Sequence, residues 1–63
     1  MKPQFYVIRR LDKGHVGEYA CSLSEWSKDL QDARIYILQS ILFTALEYYR
    51  LKEQIPVTFE RVK

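Results

Sequence analysis

The sequence predicts a small α+β domain, an antiparallel sheet with one helix packed on one face, in ββ(β)αβ order. Three observations predict it. Two runs, Phe5-Tyr6-Val7-Ile8 and Val57-Thr58-Phe59-Glu60-Arg61-Val62, are rich in the β-branched and aromatic residues that suit a pleated surface. Between them Ile41, Leu42, Ala45, Leu46, Tyr48 and Tyr49 recur on one broad arc at about 100° per residue. A chain of 63 residues, 48% hydrophobic and 14% aromatic, is a globular composition with room for one core.

The first strand is expected over residues 4–11, ending at the turn chemistry of Asp12-Lys13-Gly14. Gly14 and Gly17 bracket a short loop through His15 and Val16. Tyr19, Cys21 and Leu23 then alternate with Ala20 and Ser22, predicting a second strand over residues 18–23 paired as a hairpin with the first. Ser24, Ser27 and Asp29 are capping or turn residues, and a short helical turn is expected over residues 29–33. From there two readings compete: one helix over residues 27–53, or a third strand over 34–38 followed by a helix over 40–53. Extending the helical arc backwards places Gln31 and Arg34 in its apolar centre and Tyr36 on its polar side. The phase therefore breaks near Gln39, and with the β-prone Ile35-Tyr36-Ile37 it favours the strand and the shorter helix. Pro56 ends the helical stretch and opens a last strand over residues 57–62, where strands tolerate proline.

A single domain over residues 1–63 is expected, without repeats or linkers. Cys21 alone supplies neither an internal disulfide nor a cysteine-based zinc site, which points to a reducing compartment. The apolar stretch of residues 35–46 is too short to span a bilayer and is interrupted by Gln39, Ser40 and Thr44. Met1-Lys2-Pro3-Gln4 runs into a strand-like segment without the apolar stretch of a signal peptide. The expectation is a soluble cytoplasmic protein with no membrane partner. Ten Lys and Arg against eight Asp and Glu, a net charge of +2, name no partner.

Candidate chemistry is sparse. His15 sits in a glycine-flanked turn with no local partner to make it a general base. Cys21 falls mid-strand with no nearby histidine to generate a thiolate. Glu25, Asp29 and Asp32 lack the dense spacing of an oxygen-ligand loop and are better read as helix-capping charges. Gly14-x-x-Gly17 lacks the Lys-Ser/Thr of a phosphate loop and is read as a hairpin connection. No nucleophile, base and orienter set is visible, so no enzyme, metal or cofactor is expected.

Two binding surfaces are predicted. Arg9 and Arg10 at one strand end and Arg61 with Lys63 at another would meet if the terminal strands are neighbours, with Tyr6 and Phe59 as stacking faces for nucleic acid. The stronger signal is surplus apolar area. Phe43 and Leu51 lie outside the main helical arc, and Trp26, Tyr36 and Leu38 must also be housed in a thin two-layer domain. A protein-binding patch is therefore expected on the helix face carrying Phe43, Glu47, Arg50 and Leu51, extended by Trp26 and Tyr36, with homodimerisation one way to use it.

The frame Tyr6-Val7-Ile8, a hairpin, Trp26-x-x-Asp29-Leu30-x-x-Ala33-x-x-Tyr36, a helix with Ala45 and a closing strand with Val62 resembles a W-x-x-D-L-x-x-A-x-x-Y pattern of small phage and prophage proteins of unknown function. The likeness covers most of the chain and departs from the pattern between Tyr36 and Ala45, where Ile37-Leu38-Gln39-Ser40-Ile41-Leu42-Phe43 replaces a shorter, charged connection. It implies the fold, a phage or prophage origin and no reaction. The implied role is an accessory protein in the cytoplasm of a bacterial host, binding a host or viral protein.

Overall fold

The computed structural model describes residues 3–22 and 25–62. They form one four-stranded antiparallel sheet in the order β3-β2-β1-β4 with a helix across one face. The strands are β1 (Phe5–Arg10), β2 (Tyr19–Ser22), β3 (Glu25–Ser27) and β4 (Val57–Val62). The helix α1 (Gln39–Glu47) runs on into a wide π turn, Tyr48–Lys52. The expected α+β class and ββ(β)αβ order are what the chain adopts, with the third strand in a different place.

β1 and β4 pair along their whole length, Phe5 opposite Val62 through Arg10 opposite Val57. Partners in such a ladder share a face. Tyr6, Ile8, Arg10, Val57, Phe59 and Arg61 therefore lie on one face, and Phe5, Val7, Arg9, Thr58, Glu60 and Val62 on the other. The first is the helix face, because Tyr6, Ile8 and Val57 join Ala20, Tyr36, Leu42, Leu46 and Tyr49 in the core. Leu42, Leu46 and Tyr49 follow the i, i+4, i+7 spacing of one helical stripe. Ile41, expected in that stripe, is instead half-exposed, since it stands about 100° round the helix from Leu42.

The connection from β1 to β2 is two successive turns. His15 N–H donates to the Asp12 carbonyl and Glu18 N–H to that of His15. Gly14 and Gly17 occupy the third position of each, at φ +88° and +90°, where a Cβ would strain the backbone. β1 and β2 are thereby brought together only at Arg9 and Tyr19. Beyond that point the two strands diverge, and residues 34–36 enter between them. Arg34 N–H donates to the Ala20 carbonyl, while Tyr36 and Tyr6 exchange both backbone hydrogen bonds at 2.8 Å.

The third strand expected over residues 34–38 is thus a single bridge, Tyr36 with Tyr6. Arg34 adds one bond to β2, but only Tyr36 forms a bridge before helix α1 starts at Gln39. The sheet's third neighbour is β3, three residues pairing with β2 across a bulge between Ala20 and Ser22. Those residues were expected to form a capping segment. Asp29 does cap, accepting from Gln31 N–H at 3.0 Å at the start of a short 3₁₀ turn, Leu30–Asp32. Leu23, expected to close the second strand, lies outside the described residues.

The helix ends with Gln54 in the left-handed region at φ +55°, and Ile55 N–H donates back to the Tyr49 carbonyl. An L side chain there carries about 1–2 kcal/mol of strain, more than glycine's extra entropy cost of about 0.5–1 kcal/mol. Gln54→Gly is expected to stabilise the fold by about 0.5–1 kcal/mol, raising the thermal midpoint by a few degrees, with no change in far-ultraviolet circular dichroism.

Tyr49 is the largest fully buried side chain, and its hydroxyl donates to the Ser22 carbonyl at 2.9 Å, joining the π turn to the end of β2. Burial pushes its pKa up to about 12, and burial pushes that of Tyr36 in the same direction. A folded-state value above the unfolded value of about 10 means stability that is whole below pH 10 and lost as pH climbs towards 12. Tyr49→Phe is expected to cost about 1–2 kcal/mol at pH 7, through the stranded Ser22 carbonyl, and to flatten the fall in stability between pH 10 and 12. Denaturant midpoints measured from pH 7 to 12 check both parts.

Candidate functional site

Three aromatic and charged groups bind the helix to the β2–β3 side of the sheet. Trp26 lies opposite Ala20 on the helix face, and its ring packs against Tyr49 with centroids 5.0 Å apart. The Arg10 guanidinium lies over the same indole, 4.8 Å from its centroid. Two bonds of 2.7 Å hold that guanidinium to both carboxylate oxygens of Asp12, and this pairing keeps the Asp12 carboxyl below the usual carboxylate range. Trp26, predicted as an exposed anchor, is thus half-buried against the core and carries a cation on its surface.

Tyr36, also predicted for the patch, is 4% exposed and belongs to the core. Its bridge to Tyr6 turns the ring onto the helix face, with the Arg34 guanidinium 5.2 Å from the ring centroid. Arg50 is exposed but committed, donating to the Val57 carbonyl at 2.9 Å. That bond ties the end of the helical segment to the start of β4.

Phe43 and Leu51, expected outside the main helical arc, are 47% and 74% exposed, with Glu47 exposed between them. Phe43 stands on the β4 side of the helix, its ring meeting Phe59 edge to face at 5.9 Å, and Phe59 meets Tyr6 at 5.7 Å. Phe59 is itself 40% exposed. The predicted helix face therefore contracts to a ledge of Phe43, Glu47 and Leu51, with Arg50 pinned beside it and Phe59 beneath. A further exposed apolar group, Ile35, Ile37, Leu38 and Ile41, follows the bridge into the helix. The sequence puts Leu38 in the apolar surplus, but Ile35 and Ile37 in a paired strand and Ile41 in the helical arc, so the group they form is not predicted.

The basic residues do not converge. Arg9 and Arg10 are neighbours in β1 and so point to opposite faces, Arg9 to Glu60 at 2.6 Å and Arg10 to Asp12. Arg61 lies opposite Tyr6, three residues along the sheet from Arg9, roughly 10 Å, and on the other face from it. Tyr6, proposed as a stacking platform, is buried. Lys63 lies outside the described residues.

His15, half-exposed in its turn, does have a partner that the sequence reading did not supply: the Glu18 carboxylate lies 3.0 Å from Nδ1. Among the described residues no hydroxyl or thiol is hydrogen-bonded to the pair. Burial, with Asp32 and Glu25 nearby, pushes the pKa of the Cys21 thiol up, so it is not held as a thiolate. Asp29 and Asp32 are engaged by Gln31 N–H and the Ser27 hydroxyl. Among the described residues no group of three or more His, Cys, Asp or Glu side chains is placed to hold a metal ion. No helix among them is long and apolar enough to cross a membrane. Comparison with protein-family models, curated protein sequences and solved structures finds no significant match to this chain.

Proposed function

We propose that this chain is a non-enzymatic phage or prophage accessory protein that binds a host or viral protein, with itself as a possible partner, through the helix flank carrying Phe43, Glu47 and Leu51. The observation that carries this reading is the exposure of Phe43 and Leu51 on a helical segment whose buried stripe of Leu42, Leu46 and Tyr49 already fills the core. Water gains nothing from either side chain. An apolar group kept at the surface beside charged neighbours is the usual make-up of an interface centre with a polar rim. The phage or prophage origin rests on the W-x-x-D-L-x-x-A-x-x-Y likeness alone.

Leu51 makes the sharper test, because Phe43 also packs on Phe59. Leu51→Glu is expected to change stability by less than about 0.5 kcal/mol, as an exposed substitution does, and to reduce retention of a bound protein at least tenfold. Phe43→Glu is expected to do the same to binding while costing about 1 kcal/mol through the lost ring contact. The checks are paired chemical denaturation and affinity capture from a host lysate. Retention unchanged in both variants overturns the proposal.

The nucleic-acid reading loses the convergence it needed, since two of its three described arginines are each paired with a carboxylate. Low-salt retardation of DNA or RNA is accordingly expected to be absent, and Arg9→Ala with Arg10→Ala to leave that result unchanged. Retardation that weakens steeply with added salt and vanishes in the double variant would restore the nucleic-acid reading.

A further inference from the structure

The two edges of the sheet are not alike. β3, at one edge, is three residues long and meets β2 across a bulge, devices that discourage pairing with another strand. β4, at the other, is six residues long and keeps an unbroken register with β1.

Hydrogen bonding in an antiparallel ladder alternates, so every second residue of β4 turns its backbone groups away from β1. Leu11 N–H donates to the Pro56 carbonyl, which sets the phase. Thr58, Glu60 and Val62 are then the residues bonded to β1, and Val57, Phe59 and Arg61 present N–H and C=O outward. Arg50 answers the Val57 carbonyl. Among the described residues no other backbone group reaches the outward side of Phe59 or Arg61. Above this open edge sit Phe59 and Phe43, half-exposed and in ring contact.

We infer that the open edge of β4 pairs antiparallel with β4 of a second copy of this chain, centred on Phe59, so that one sheet runs through both copies. The inference rests on the reading that this chain acts by protein association, and names the partner and the geometry. Centred there, Phe59 faces Phe59 of the second copy, Val57 faces Arg61 and Thr58 faces Glu60, so no charge opposes its like. Moving the centre to Glu60 sets two carboxylates against each other. Moving it to Thr58 carries Arg61 past the end of the opposite strand, to Ile55. The Val57 carbonyl has a second lone pair, so it accepts from Arg61 of the second copy while keeping Arg50. Across the two-fold axis the Phe43 and Phe59 rings of both copies form one apolar cluster, which supplies the burial that backbone bonds alone do not. A six-residue strand pair is at the small end of stable interfaces, so association in roughly the 1–100 µM range is expected.

Sedimentation velocity of the full chain from about 5 to 500 µM tests this. The expected result is a rise from the mass of one 7.6 kDa chain to that of two. Amide exchange at Phe59 and Arg61 is expected to slow at least tenfold over that range, with Thr58 and Glu60, already bonded to β1, unchanged. Arg61→Pro removes an outward donor and leaves the β1 ladder intact, as edge strands allow; it is expected to weaken dimerisation at least tenfold with an unchanged circular dichroism spectrum. A single-chain mass at every concentration overturns the inference, as does a dimer in which the Phe59 and Arg61 amides exchange no more slowly than in dilute solution. Should Arg61→Pro fail to fold, the exchange pattern of the unsubstituted chain decides. A monomer whose retention of another protein still depends on Leu51 would sink the pairing and spare the proposed function.

Discussion

Two backbone hydrogen bonds between Tyr6 and Tyr36 set the plan of this protein. They place a non-strand residue where the hairpin partner of β1 would otherwise continue, and so end the β1–β2 ladder after Arg9 and Tyr19. An unpaired backbone group in that position would carry a penalty of about 1–3 kcal/mol, so the splice must satisfy both chains, and it does. Ala20 answers Arg34 in the same way one strand over. Because the bridge occurs three residues before the helix begins, it also fixes where α1 leaves the sheet. The Tyr36 ring is sent onto the helix face and into the core, and its neighbours Ile35 and Ile37 to the surface.

The core built on this frame is thin, and tyrosine suits it. Leu42, Leu46 and Ile8 are sealed, but Tyr6, Tyr36 and Tyr49 supply much of the buried area. A buried tyrosine brings a hydroxyl that needs a partner. Tyr49 finds the Ser22 carbonyl and Tyr6 the Gln4 side chain, and among the described residues no buried side-chain polar atom is left unbonded. Trp26, with Arg10 and Asp12 stacked outward from it, closes the core on the β2–β3 side using charge and ring together. A domain of this size gains by such dual-purpose residues, since it hides only about 60% of the surface of its unfolded chain.

Much of this was legible in the sequence, for reasons that also explain the failures. β1 announces itself by β-branched and aromatic content, β2 by the alternation of Tyr19, Cys21 and Leu23 with Ala20 and Ser22, and β4 by both signals. The helix start was visible as a phase break, because Gln31 and Arg34 cannot occupy the apolar centre of a stripe that holds Leu42 and Leu46. The propensity of Ile35-Tyr36-Ile37 for strand says nothing about whether a neighbour has room for it, and here only Tyr36 finds one. β3 escaped for the opposite reason: three residues beside a bulge are too short to show a period, and Ser27 suggests a cap. Within the candidate site, Phe43 and Leu51 followed from helical phase. The division of Arg9 from Arg10 was available too, since adjacent strand residues face opposite ways. Their carboxylate partners, Glu60 and Asp12, depend on the register and the turn, which the sequence does not display.

The surplus apolar area is split by the helix that the sheet carries. Leu42 takes the centre of the buried stripe, and Ile41 and Phe43, each about 100° from it, fall on opposite flanks. On the Ile41 flank the exposed side chains continue into Leu38 and Ile37, which belong to the connection leading from the Tyr36 bridge. That flank offers exposed apolar side chains that, among the described residues, belong to no strand. On the Phe43 flank the ring rests on Phe59, and Phe59 belongs to a strand whose outward backbone groups at Phe59 and Arg61 have no partner among the described residues. Side-chain burial and backbone hydrogen bonding reinforce each other in association only when both are offered along one line, because the entropy of docking is then met once for two kinds of contact. The β4 side of this molecule is where the two coincide.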